Sequence, residues 1–201
     1  MKYVHSCMAL IVSIAVVLTT VAAESMSVPV PSPGDIAPLI VASRWVKGEP
    51  VADYEPGRVY VVDLWSTWCK PCIDAFPVLK AIESKYGNEV TFIGLDIWEM
   101  DSDRVNAFLS SNLGVLPSTV ALDSIPEGCD PFGGLCTVQF LGTSESASIP
   151  KTFIVDQSGR IAWIGLPEEL EAPLEQVLAG KWVREANAKV DSSTENTSRG
   201  E

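Results

Sequence analysis

Histidine is all but missing from this 201-residue chain; its one copy, His5, lies within the first 23 residues. If that stretch is removed, imidazole-based acid–base catalysis and Cys/His metal sites are excluded from the rest. Basic residues are scarce too, 14 Lys and Arg against 26 Asp and Glu, for a net charge of −12. That sign argues against nucleic acid or an anionic membrane as partner and fits a solvated acidic surface. Long apolar runs are also lacking. The most extended, residues 8–18, falls short of the roughly 20 residues a membrane span needs. It follows a short polar head with Lys2 and His5 and precedes Val21-Ala22-Ala23, a small-residue cleavage pattern. Residues 1–23 therefore read as an export signal peptide, with a retained N-terminal anchor as the alternative. Cys7 precedes the apolar run and no cysteine stands at the cleavage site, which argues against a lipid anchor. Internal repeats are absent.

The remainder is the size of one domain with a full core. Residues 24–38 are rich in Ser and Pro and read as a flexible lead-in, residues 39–180 as the folded domain, and residues 181–201 as a polar, disordered tail. Asn196-Thr197-Ser198 is a glycosylation sequon, meaningful only in a eukaryotic secretory pathway. Within the domain, residues 59–65 are rich in β-branched and aromatic side chains and predict a buried strand. Ile73, Phe76, Leu79 and Ile82 recur at threes, predicting a helix over 73–85. After a stop at Tyr86-Gly87-Asn88, a second buried strand is expected over 90–97, then a helix capped by Asp101 and running to about 111. Val105, Phe108 and Leu109 form its inner face. A short strand at 119–122 leads into an irregular, Gly- and Pro-rich piece at 123–135. Strands at 152–156 and 160–164 and a closing helix at 168–178 complete the domain. This alternation predicts an α/β fold, a mixed sheet with helices on both faces.

The densest chemistry is Trp68-Cys69-Lys70-Pro71-Cys72, at the junction of the first strand and first helix. Unpaired N–H groups and the helix dipole favour negative charge at such an N-terminus. A thiol there ionises more easily, and the thiolate is the species that attacks disulfides. Lys70 adds a cation beside Cys69, and Pro71 suits the first turn, where its missing N–H has no helical partner. Cys72, further into the helix, is expected to be the more shielded thiol.

Asp63, Trp65, Trp68, Cys69, Pro71, Cys72 and Pro77 together resemble the active-site segment of thioredoxin-fold oxidoreductases. The resemblance implies that Cys69 is the exposed nucleophile, Cys72 the resolving thiol, Asp63 a buried carboxylate beneath the pair and Pro77 a helix kink. Asp63 would take and return the Cys72 proton, or serve only as a structural buried acid. Ser148-Ile149-Pro150-Lys151-Thr152-Phe153 resembles the family's cis-proline loop, in which Ile149 offers backbone groups to an extended substrate opposite Pro150. Trp68 would shield the disulfide and shape the docking face. Gly34-Asp35-Ile36-Ala37-Pro38, followed by residues 39–46, resembles the opening of extracytoplasmic, TlpA-type members, which add an N-terminal β-hairpin. Lys47-Gly48-Glu49 would be its turn. Glu99 resembles a glutamate that these proteins place near the disulfide, or is a solvated loop carboxylate. The chain departs from the family at Ala75, where a glutamate two residues before the kink proline is common.

Cys129 and Cys136 flank a turn-prone segment in what reads as an insertion at about 123–137. Three readings are open: a structural disulfide pinning the loop, a second redox pair exchanging with Cys69 and Cys72, or a four-thiolate metal site built from both pairs. The first is the expectation. The resemblance as a whole implies an exported, periplasmic or cell-envelope protein thiol–disulfide oxidoreductase, without cofactor or metal and monomeric. It would act on protein thiols and disulfides as a reductant, of the kind used in cytochrome maturation, and draw on an upstream envelope redox donor or acceptor. The alternatives are a dithiol oxidase or isomerase of the same fold, or a peroxiredoxin-like or metal-binding protein. No threonine-containing peroxidatic motif and no distal histidine is present for those last two.

Overall fold

Seven consecutive buried residues, Val59–Trp65, form the central strand β2 of the molecule, a computed structural model that describes residues 28–143 and 147–182. The expected signal peptide and all of the expected tail beyond Trp182 lie outside those residues. In chain order the elements are β1 (Ala42–Lys47), β2, α1 (Lys70–Tyr86), β3 (Val90–Asp96), α2 (Ser102–Asn112), β4 (Thr119–Asp123), α3 (Leu135–Leu141), β5 (Lys151–Val155), β6 (Ile161–Gly165) and α4 (Glu171–Leu178). The six strands make one sheet in the order β1-β4-β3-β2-β5-β6. β2, β3 and β4 run parallel, while β1, β5 and β6 pair antiparallel to their neighbours.

Two cores follow from the pleat of β2, because successive side chains leave a strand on opposite faces. Val59, Val61 and Trp65 pack with Phe76, Leu79 and Ile82 of α1, Val105 and Leu109 of α2, and Leu174 and Val177 of α4. Tyr60, Val62 and Leu64 pack with Phe140 and Leu141 of α3 and with Ala37 and Ile40. A strand buried on both faces has no room for alternation, hence an apolar run broken only by Asp63. Each large side chain so buried stabilises the fold by about 1.5–3 kcal/mol. Asp63 occupies the slot between Val61 and Trp65, on the α1 face.

The N-terminal hairpin does not form. β1 instead pairs with β4 across the outer edge of the sheet, from Ala42 opposite Asp123 to Lys47 opposite Val120. The free edge of β4 offers unpaired backbone groups, whereas the segment after β1 contains Pro50, Pro56 and Gly57, which interrupt a strand. Lys47 Nζ holds the crossing point by donating to the carbonyls of Leu113 (2.7 Å) and Leu116 (2.8 Å). The end of the lead-in is tied as well: Gly34 N donates to Ile161 O, Ile161 N to Asp35 O and Ala37 N to Gly159 O. Flexibility over all of 24–38 is therefore not what the structure shows at 34–37.

The segment expected to be irregular, 123–135, holds a single 3-10 turn, Pro131–Gly133, and ends where the helix α3 begins. Asp123, at the end of β4, caps α3 from outside. Its carboxylate accepts the N–H groups of Cys136 (2.8 Å) and Thr137 (2.9 Å) and the Thr137 hydroxyl (2.9 Å). A Cβ on Gly134 would lie 2.1 Å from Asp123 Oδ2, so the close approach requires glycine there.

Candidate functional site

The loop from β2 into α1 carries the site. Cys69 is the N-cap of α1, and its Sγ accepts the N–H of Cys72 at 3.3 Å. No acidic residue stands in the first turn of α1. Cys69 and Cys72 form a disulfide with 5.3 Å between Cα atoms. Cys69 is 4% exposed and Cys72 0%, so the ranking of the two follows the helix position, but Cys69 is covered rather than exposed in this oxidised form. The neighbouring Trp68, 42% exposed, occupies the surface instead. Pro71 sits in the first turn of α1, and Pro77 lies within the helix. Lys70 turns outward: its Nζ pairs with both oxygens of Asp74 at 2.7 Å, and both side chains are exposed. A cation so engaged and solvated acts weakly on Cys69.

Asp63 is 1% exposed on the same sheet face as α1. Thr152 Oγ1 donates to its Oδ1 at 2.7 Å, while Oδ2 has no partner among the described residues. Burial pushes its pKa up to about 7; the Thr152 hydrogen bond opposes that rise and the charge of Glu168 adds to it. Thr152 reaches Asp63 because β5 sets it directly opposite in register, with Lys151 opposite Leu64. Pro150 immediately precedes β5, at the end of the strand that pairs with the cysteine-bearing end of β2. The Ile149–Pro150 bond is cis, and Ile149 packs against both cores.

The cysteine loop is stitched to the chain that follows β3. Ser66 Oγ donates to Ile97 O, and Ile97 N donates to Trp65 O at 2.9 Å. Glu99 accepts both the Thr67 N–H and, at 2.9 Å, the Thr67 hydroxyl. Trp68 Nε1 donates to Trp98 O at 3.0 Å. Glu99 thus lies against the active-site loop and is not a freely solvated carboxylate. Trp98 has φ 60°, the one left-handed non-glycine residue among the described residues, and such a conformation is disfavoured for a bulky side chain. Its ring meets Phe132 at a centroid distance of 5.2 Å. A hollow of about 290 Å³ beside the loop is lined by Trp68, Glu99, Met100, Asp101, Arg104 and Phe132.

Cys129 and Cys136 are both free thiols, so the expected structural disulfide is absent. Cys129 is exposed in the turn, while Cys136 points into the core on the α3 face, where its Sγ accepts the Val41 N–H at 3.2 Å. Burial and the adjacent Asp123 carboxylate raise the pKa of the Cys136 thiol well above the ordinary range. Cys136 and the Cys69–Cys72 pair lie in the cores of opposite sheet faces, so four thiolates do not converge on one metal. The sequence reading passed over Thr67, Thr152, Trp98 and Asp96. Asp96 ends a buried strand as Asp63 interrupts one, a pattern that could have flagged it. Thr67 and Thr152 carry no such signal, since their roles come from register.

Comparison with known proteins gives a consistent placement. The profile of the AhpC/TSA family matches residues 33–164. Protein FixW of Rhizobium leguminosarum is 32% identical over 153 residues, covering 74% of this chain and 67% of that protein. Thiol-disulfide oxidoreductase ResA of Bacillus thuringiensis (strain Al Hakam) is 24% identical over 124 residues, covering 61% of this chain and 62% of that protein. Among solved structures, StoA from Bacillus subtilis superposes with a TM-score of 0.51 at 18% identity, covering 70% of this chain and 99% of that one. A thiol-disulfide isomerase from Corynebacterium glutamicum reaches 0.55 at 22% identity, covering 73% and 96%. These likenesses establish a thioredoxin-like fold.

Proposed function

The chain belongs to the AhpC/TSA family, and on that footing we propose that it is an exported thiol–disulfide oxidoreductase that reduces disulfides of envelope proteins. The observation that carries the reading is the Cys69–Cys72 pair at the N-terminus of α1 with the half-satisfied Asp63 carboxyl buried on the same sheet face. In the reduced protein the Cys69 thiolate attacks one sulfur of a substrate disulfide, expelling the other as a thiolate and forming a mixed disulfide. Asp63 accepts the Cys72 proton, and the Cys72 thiolate attacks Cys69 Sγ. The substrate leaves as a dithiol once its thiolates are protonated, and Cys69–Cys72 is left oxidised until an upstream envelope donor returns two electrons. A pKa of about 7 suits a carboxyl that gains and loses a proton near neutrality.

The substrate is a protein segment laid along the Ile149–Pro150 backbone, with neighbouring side chains against Trp68, Met100 and Phe132, all exposed. Export rests on the signal-like residues 1–23, and the reducing direction on the resemblance to TlpA-type proteins. Titrating the purified protein across defined glutathione potentials, with alkylation and mass readout, tests the reading. Cys69 and Cys72 should change together, in one two-electron step, at a potential low enough to reduce protein disulfides. Separate glutathionylation of Cys69 and Cys72, with no disulfide between them, would overturn it.

A further inference from the structure

We propose that Asp96 is a positioning residue of the exchange site: as a neutral acid it donates its single proton to Glu99, whose carboxylate holds Thr67 and thereby the loop that carries Cys69. The proposal rests on the oxidoreductase reading for its consequence but on separate residues for its geometry. Asp96 ends β3 opposite Trp65 and is 2% exposed. Neither of its oxygens meets a hydrogen-bond donor among the described residues. An ionised carboxylate in that position would be a buried charge without a donor, a costly arrangement, whereas the neutral acid has one O–H to give.

The groups facing it decide where that proton goes. Asp123, from β4, has its oxygens occupied by Ser124 N, Cys136 N, Thr137 N and the Thr137 hydroxyl, so its acceptors are already committed. Arg44, from β1, spends Nη2 on Asn106 Oδ1 at 2.9 Å, and Asp101 caps α2. With Glu99 and Asp96 these residues line one hollow of about 500 Å³. Glu99, three residues on and lining the same hollow, is the acceptor placed to take a proton from Asp96. The burial of Asp96, the charge of Glu99 and their shared hydrogen bond, with a smaller push from Asp123, raise its pKa to about 10. One proton thus sits between two carboxyls, and the far side of the pair grips Thr67 through both its N–H and its hydroxyl. Two negative charges there would repel and release the grip.

Asp96→Asn keeps an N–H donor toward Glu99 at every pH, and Asp96→Ala removes it. With insulin as the substrate at pH 7, kcat/KM should fall about tenfold in Asp96→Ala, the scale of one hydrogen bond to a charged group, and stay within about twofold in Asp96→Asn. Toward pH 10 the wild type should lose activity relative to Asp96→Asn. Tryptophan emission should show an alkaline transition in the wild type that Asp96→Asn lacks, since Trp68 and Trp98 border the pair. Equal impairment in both variants, or an unchanged ratio of wild type to Asp96→Asn across that range, would overturn the proposal. If Asp96→Ala fails to fold, the wild type and Asp96→Asn decide alone. A wild type inert toward insulin would overturn the oxidoreductase reading instead, and the emission titration would still decide the proton pair.

Discussion

Two cysteines of this protein stand at the start of a helix, and they behave oppositely. Cys69 caps α1, where no carboxylate competes for the first-turn amides, and its sulfur takes the Cys72 N–H. Cys136 lies in the first turn of α3, where Asp123 already holds the amides of Cys136 and Thr137. Burial raises the Cys136 thiol pKa, and the Asp123 carboxylate, which takes up the helix field that favours a thiolate at α1, raises it further. A helix N-terminus activates a thiol only when nothing else has claimed its donors. The same contrast explains why one pair is bonded and the other is not. Cys72 lies one turn along the helix from its partner, whereas α3 turns Cys136 into the core while Cys129 stays in solvent.

The sharpest way to break this comparison is at Cys69. Cys69→Ser should abolish insulin reduction, while Cys72→Ser should accumulate stable mixed disulfides visible on a non-reducing gel; substantial turnover by Cys69→Ser would reverse the assigned roles. Next in size is Asp63→Asn, which should slow resolution of the mixed disulfide about a hundredfold, the lower range for loss of a general base. The same variant has a stability signature. The Asp63 carboxyl has its pKa raised from 3.8 to about 7 on folding, so the folded state holds its proton more tightly. Its contribution to stability is full below pH 3.8 and is lost as pH rises through about 7. Urea midpoints of the wild type should therefore decline across that window relative to Asp63→Asn.

Asp123→Ala removes the external cap of α3 and strands buried donors, at a cost of about 2 kcal/mol read from the urea midpoint. A loss below half that would mean that α3 is held by packing alone. The smallest effect is expected at Cys129→Ser, within about 0.5 kcal/mol of wild type, since it is an exposed thiol with no bond to lose. Native alkylation should modify Cys129 readily and Cys136 only on unfolding. Protection of both, reversed by reductant, would restore the loop disulfide.

Much of this was open to reading from local pattern. The strand at 59–65 agrees at both ends because it is buried on both faces, and Asp101 caps α2 through the N–H groups of Asp103 and Arg104. Local chemistry of this kind is written in neighbouring residues. The hairpin expectation failed because pairing partners are chosen by what edge is free, and the edge of β4 lies some 75 residues from β1. The helix α3 was missed because seven residues are too few to display a helical period, and its cap is contributed by a different element.

By itself the sequence determined the redox pair, its place at a helix start and the acid inside the preceding strand, since each follows from residues adjacent in the chain. Tertiary structure alone decided that Thr152 bonds Asp63, that Glu99 grips Thr67 and that Asp96 is left without a donor. It also decided that Cys136 faces the opposite core from the pair it might have joined. Those outcomes depend on strand register and on the face to which each side chain is turned. A shift of one residue in β3 or β5 would exchange them, and no short stretch of sequence records it.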